Sequence, residues 1–233
     1  MRNVVALFVA AVTVCGMASF AEETQAFTGV LFPPDLIPKL MDVSTGKALF
    51  QDDLSNAMME EQGWAFEEGV LSAKGKGDIW TKERYGNFML ALEFKCEEKT
   101  NSGVFIRCGD KEDWLHSSIE VQVLQNNEDY ENDKHHCGGI FDCVKPFTQE
   151  VKKPGEWNEM IITAKDNVIY VLMNGKQVVG MDLDKWTEPH KNPDGTKNKF
   201  KNAYKDMPRE GHIGLQYHGQ PIAFRNLKII AFD

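Results

Sequence analysis

The sequence lacks several things, and each lack narrows the reading. It has no basic excess: 26 Lys and Arg stand against 35 Asp and Glu in 233 residues, a net charge of −9. With no basic stripe to neutralise phosphates, nucleic acid is not an expected partner. Beyond the first 21 residues no apolar run reaches the roughly 18 residues that a membrane-spanning helix needs. There is no CxxC or HxxxH pair, the spacings of strong zinc motifs. No segment holds a long 3.6-residue apolar period, so long amphipathic helices are not expected.

What is there begins with a leader. "MRNVVALFVAAVTVCGMASFA" has one positive residue, an apolar run, and small residues Ser19 and Ala21 ahead of a cleavage site before Glu22. This pattern predicts a secretory signal peptide over residues 1–21, and therefore a periplasmic or extracellular protein. Val14 stands before Cys15 where a lipoprotein signal needs a small residue. Loss of Arg2 with the leader leaves 25 basic against 35 acidic residues, a net charge of −10.

Four cysteines remain, Cys96, Cys108, Cys137 and Cys143. In an exported chain an even count reads first as disulfides. The expected pairs are Cys96–Cys108, across an apparent hairpin "FKCEEKTNSGVFIRC", and Cys137–Cys143, across the short loop "CGGIFDC". A metal site from His135, His136, Cys137 and Cys143 is the weaker alternative.

Residues 22–43 hold Pro33, Pro34 and Pro38 and read as an irregular N-terminal segment lying over the domain. "LSNAMMEEQGW" reads as a turn or two of helix. From residue 44 to 233 strand signals dominate. Turns are expected at Glu67–Gly69, Asp166–Asn167 and Asn174–Gly175, between alternating apolar runs. Hydrophobic residues make up 42% of the chain, enough for a full core. Many short strands separated by turn residues predict an all-β sandwich. One stretch, residues 185–210, is too long for a hairpin and reads as a binding loop, a lid or a solvated excursion.

A period of two, applied to three strands, collects polar residues on one face. In "SGVFIRC" Arg107 falls opposite Val104 and Ile106. In "EVQV" Glu120 and Gln122 fall opposite the valines. In "IGLQYHG" Gln216 and His218 fall opposite Ile213, Leu215 and Tyr217. If these strands share a sheet, an acid, a base and a fixed cation line one surface. "AKGKGDIWTKERYGNF" adds Lys74, Asp78 and Trp80: glycines admit a ligand close to the backbone, and tryptophan stacks on sugar faces. The bland reading of any one of these is a solvated cross-strand pair or a core aromatic.

The segments "GVLSAKGKGDIWTKERYGNFMLALEFK", "NSGVFIR", "IEVQVL", "GEWNEMIITAKDNVIYVLMNGKQVV" and "GHIGLQYHG…IAFRNLKI" together resemble the 3-keto-disaccharide hydrolase family. The resemblance spans roughly residues 45–232. It implies a concanavalin/laminin-G-like jelly roll and exported enzymes, 3-keto-glycoside lyases and hydrolases among them. This chain has Tyr217 where many relatives show Asp in "LQDHG".

The chemistry the resemblance implies suits the residues. A ketone at C3 acidifies the C2 proton; its removal gives an enolate that expels the group at C1. His218 and Glu120 are the candidate base and acid, in either order. Arg107 or Lys74 would hold the enolate oxygen, and Gln122 and Gln216 would bind hydroxyls of a small saccharide. No cofactor is required; a divalent metal is an alternative electrophile. Retaining glycoside hydrolysis needs a second carboxylate about 5 Å away, and this strand reads E-x-Q-x-L rather than E-x-D-x-E. The expected function is an exported enzyme cleaving 3-keto-glycosides by elimination or hydrolysis. The alternatives are a non-catalytic carbohydrate-binding module and an adhesive laminin-G-type domain. Oligomeric state is left open.

Overall fold

The computed structural model describes residues 30–125, 127–129 and 131–232. The expected leader, residues 1–21, lies outside them. Two antiparallel sheets form, as the strand signals predict. The larger contains β1 (Lys47–Ala48), β3 (Trp64–Glu67), β4 (Val70–Ala73), β6 (Asn87–Cys96), β9 (Trp157–Lys165), β10 (Val168–Met173), β11 (Lys176–Asp182) and β13 (Ile222–Phe232). Its order is β11-β10-β9-β6-β13-β4-β3, with β1 also on β13. The smaller contains β2 (Ala57–Met58), β5 (Ile79–Tyr85), β7 (Asn101–Cys108), β8 (Ile119–Leu124) and β12 (Gly211–Leu215), in the order β2-β5-β12-β7-β8.

Local sequence explains the connections. Glu68 and Gly69 both take positive φ, as do Asn174 and Gly175, which matches the twist that two-residue hairpin turns need. "LSNAMMEEQGW" forms turns and the two-residue β2 rather than helix, because Ala57 and Met58 pair with Thr81 and Trp80 of β5.

The alternation buries one face of each sheet against the other. Leu90, Leu92, Phe94, Ile162 and Phe224 of the larger sheet meet Val104, Ile106, Val121, Val123, Ile213 and Leu215 of the smaller in one core. Each such side chain contributes about 1.5–3 kcal/mol by leaving water.

The outer faces differ. That of the larger sheet is covered. Leu36, Leu40 and Val43 pack on Met89 and Leu172, with Phe32 and Ile161 beside them. The covering segment is more regular than its prolines suggested. It runs through a 3-10 turn at Pro34–Leu36, a helix at Ile37–Asp42 and a second turn at Val43–Thr45. Pro34 and Pro38 fall in the first turns, where a missing N–H leaves no bond unmade. The outer face of the smaller sheet carries the aromatic cluster of Trp80, Phe105 and Trp114 instead.

The long loop, residues 185–210, is not a solvated excursion. Trp186, Phe200, Tyr204 and Met207 join the main core. Asn192 is also buried and accepts from Trp186 Nε1 at 2.9 Å.

The disulfide expectations are corrected. β6 and β7 are not a hairpin but belong to different sheets, so Cys96 sits in the core while Cys108 lies on the outer aromatic face. Both are free thiols, and so is Cys143, which leaves Cys137–Cys143 unformed. Cys143 is instead buried beside Tyr204 in the main core.

Candidate active site

The register of the smaller sheet builds the site in rows. Trp80 of β5 lies opposite Gly214 of β12, Gly214 opposite Phe105 of β7, and Phe105 opposite Glu120 of β8. One step along, the Gln216 N–H donates to the Gly103 carbonyl at 2.9 Å, and Gly103 lies opposite Gln122. Glycines occupy the middle of both rows. A β-carbon on Gly214 would meet the Trp80 ring at 2.5 Å, and one on Gly103 would fall on the Glu120 carboxylate. The glycines are therefore the hollows that let Trp80 lie flat and Glu120 lean across the sheet. Trp80 and Phe105 stack at 5.2 Å between centroids, and Trp114 closes on Phe105 at 4.6 Å.

Glu120 is 6% exposed. Burial, and then the charge of Asp78, push its carboxyl up to about 8, against a smaller opposing pull from Lys199. At neutral pH it is therefore mostly protonated, an acid ready to donate. Asp78 accepts the Tyr217 N–H at 2.8 Å through Oδ1, which fixes the turn carrying His218. Its carboxyl is raised by burial, and pulled back by that N–H and by the nearby charge of His218. Asp78 thus stands within electrostatic reach of both Glu120 and His218, and His218 itself is exposed.

The two amides flank Gly103. Gln122 Nε2 donates to Asn101 Oδ1 at 2.8 Å and to the Ser102 carbonyl at 3.1 Å. These two acceptors fix the amide's orientation, so Oε1 is left buried with no partner among the described residues. Gln216 Oε1 is likewise buried and unmet. Buried acceptors without donors are costly, and two beside one carboxyl suit a ligand bearing hydroxyls.

Two predicted residues lie elsewhere. Arg107 is 0% exposed and points inward. The β7–β12 register slips between His212 and Gly214, and Arg107 takes φ +52. This bulge reverses the alternation on which its placement rested. Its guanidinium donates to the carbonyls of Gly86 at 3.0 Å and Asp166 at 2.7 Å, and to Asn87 Oδ1 at 3.2 Å, clamping the two sheets. Lys74 lies near Tyr217, since a β-carbon on its neighbour Gly75 would be 3.8 Å from the Tyr217 hydroxyl. Its ammonium, however, pairs with Glu67 at 2.9 Å. His135 of the alternative metal set turns to Asp142 Oδ1 at 3.1 Å. Among the described residues no three of His, Cys, Asp or Glu are grouped to hold a metal ion.

Sequence reasoning missed Gly103, Phe105 and Trp114. Gly103 carried a signal: a glycine inside a strand marks a close approach. A depression of about 730 Å³ bounded by Arg84, Asp166, Asp184, Arg209 and Glu210 lies at the far end of β5. Its charges are spent on one another, Arg209 on Asp184 at 2.8 Å and Arg84 on Glu210.

A Parabacteroides distasonis protein of known structure, presumed to be a glycosyl hydrolase, is 39% identical, with a TM-score of 0.76 over 80% of this chain and 98% of its own. A second from that organism, 22% identical with a TM-score of 0.66 over 87% of this chain and 99% of its own, shares the fold. The 3-keto-disaccharide hydrolase of Bacteroides thetaiotaomicron is 25% identical over 73% of this chain and 70% of its own. The family described as the 3-keto-alpha-glucoside-1,2-lyase-like domain matches residues 46–230, which include every strand that carries the site. By that match the chain belongs to the 3-keto-alpha-glucoside-1,2-lyase-like family.

Proposed function

We propose that this protein is an exported enzyme that cleaves 3-keto-glycosides by elimination across C1 and C2, with Glu120 as acid and His218 as base. The observation that carries the reading is a buried Glu120 carboxyl lying over Gly103, which is flanked in the sheet by Gln122 and Gln216 with their unmet amide oxygens.

The His218 imidazole takes the C2 proton, and the electron pair moves to form C2=C3 with the charge on the C3 oxygen. The enolate collapses, C1=C2 forms and the C1–O bond breaks. Glu120 gives its proton to the departing oxygen. A lyase stops here. In a hydrolase, water adds to C1 as the Glu120 carboxylate takes its proton, and the imidazolium returns the first proton to C2. Both groups are then reset. Gln122 Oε1 and Gln216 Oε1 accept from sugar hydroxyls, and the Trp80 ring, backed by the fully buried Phe105, lies against the sugar.

One observation favours a second reading. Asp78 supplies the second carboxylate that β8 lacks, so direct glycoside hydrolysis by Asp78 and Glu120 is the competing mechanism.

The test is NMR in D2O of a chain beginning at Glu22, with a 3-keto-glucoside and with its unoxidised parent, with and without chelator. The 3-keto compound should lose its glycoside signals and gain deuterium at C2. H218A should abolish exchange, whereas E120Q should exchange but not cleave. Cleavage of the parent at a comparable rate selects the Asp78–Glu120 pair. If both compounds stay intact the enzyme reading fails, and a carbohydrate-binding module takes its place.

A further inference from the structure

An enolate needs a positive charge beside its oxygen, and the cations expected from sequence are spent: Arg107 on backbone carbonyls, Lys74 on Glu67. Around the long loop, Lys134 is paired with Asp194, Lys191 with Glu188, and Lys201 with Asp113. Lys199 differs. Its ammonium lies 4.6 Å over the ring of Phe141, which also stacks on His135 at 4.6 Å.

The backbone fixes this arrangement next to the site. Phe141 donates its N–H to the Glu120 carbonyl at 3.0 Å, so the ring stands beside the catalytic strand. The next residue, Asp142, is buried and accepts the Lys199 N–H at 2.8 Å through Oδ2, while Oδ1 meets His135 and Asn132. On either side of Lys199, Asn198 and Phe200 are buried, and Asn198 bonds Asn192 at 3.0 Å. Lys199 is therefore held at both flanks with only its side chain outward. An ammonium resting on an aromatic face keeps its charge, because the ring attracts it without neutralising it.

We propose that Lys199 is the cation that stabilises the C3 oxygen of the enolate, with Phe141 as its positioning residue. This rests on the eliminative reading above. The Lys199 ammonium rests on the ring of the residue that bonds the Glu120 carbonyl, within electrostatic reach of the Glu120 carboxyl. The substrate's ketone oxygen approaches the ammonium and takes on negative charge only as the C2 proton leaves. The interaction is therefore stronger in the transition state than in the bound substrate.

The test compares K199M, K199Q and K199R with wild type for deuterium exchange at C2 of the 3-keto-glucoside. Melting temperature and KM are measured in parallel. K199M and K199Q should lose about 10²–10³-fold in exchange and in kcat, the range for removing one charge-stabilising donor. KM should change little, because the charge develops after binding. K199R should recover part of the rate, and F141A should lose about tenfold by freeing the ammonium. The melting temperature should hold, since the side chain is exposed. Exchange at the wild-type rate in K199Q, with H218A inactive, would overturn the role of Lys199 and leave the elimination standing. A wild-type protein inert toward the 3-keto compound would overturn both.

Discussion

Gly103 and Glu120 are diagonal neighbours on β7 and β8, and the position a β-carbon would take on Gly103 is the one the Glu120 carboxylate occupies. A side chain at residue 103 and the present placement of the acid are mutually exclusive. Gly103→Ala should therefore displace Glu120 while leaving the strands paired, since the Gly103 carbonyl still accepts from Gln216. Overpacking a buried site costs about 1–3 kcal/mol. A lower melting temperature together with a kcat reduced at least tenfold is expected from calorimetry and turnover assays. Full activity in Gly103→Ala would show that the carboxyl works from another position.

The Glu120 carboxyl makes stability depend on pH. Its value is about 8 in the folded protein against an ordinary 4.5. Between these values the folded state holds a proton that the unfolded state has lost. The contribution is complete below pH 4.5 and disappears as pH rises through 8. The slope is at most about 1.4 kcal/mol per pH unit. E120Q, which mimics the protonated acid, should lack this slope. Urea unfolding at pH 5 and pH 8.5 should show wild type losing about 2–4 kcal/mol more than E120Q across the interval. Parallel curves for the two proteins would mean that the carboxyl is not held protonated by the fold.

Arg107 should behave as a structural clamp, not as a catalytic cation. Arg107→Met leaves the Gly86 and Asp166 carbonyls without their donor. Each hydrogen bond lost from the buried, charged guanidinium costs about 1.5–3 kcal/mol. The variant should unfold at a clearly lower temperature, yet keep wild-type kcat and KM well below its transition. A large fall in kcat with an unchanged melting temperature would return Arg107 to the site.

The alternation that placed Glu120, Gln122 and Gln216 on one face was legible because β8 pairs with β7 without a register shift and residues 214–216 lie past the slip at His212, so a period of two fixes the face of each side chain. The same rule failed at Arg107, where a bulge adds one residue and inverts the faces. It gave no access to Lys199 or Phe141, which sit on loops: Phe141 donates to the Glu120 carbonyl and Lys199 to the Asp142 carboxylate beside it, bonds that no local pattern encodes. The long loop's aromatics signalled burial correctly, but not which end of the sandwich they would close. Strand neighbours were also ambiguous: "FKCEEKTNSGVFIRC" reads as a hairpin, whereas its two strands belong to opposite sheets.

That crossing between sheets has a consequence for the thiols. Cys96 and Cys108 end up in separate clusters, one between the sheets and one beneath Trp80 and Phe105. Cys143 is enclosed with Tyr204 and Trp186. Burial raises all three thiols above their ordinary range, so little thiolate is present to attack an oxidant or a labelling reagent. A chain beginning at Glu22, and so without Cys15, should react negligibly with a thiol reagent at pH 8 while folded, and should reveal at least three thiols once unfolded. Reductant should leave its melting temperature unchanged, because no loop is closed by a bond that reduction opens. A drop of several degrees on reduction, or fewer than three titratable thiols, would show that the exported protein gains a cross-link and that its core rearranges to make one.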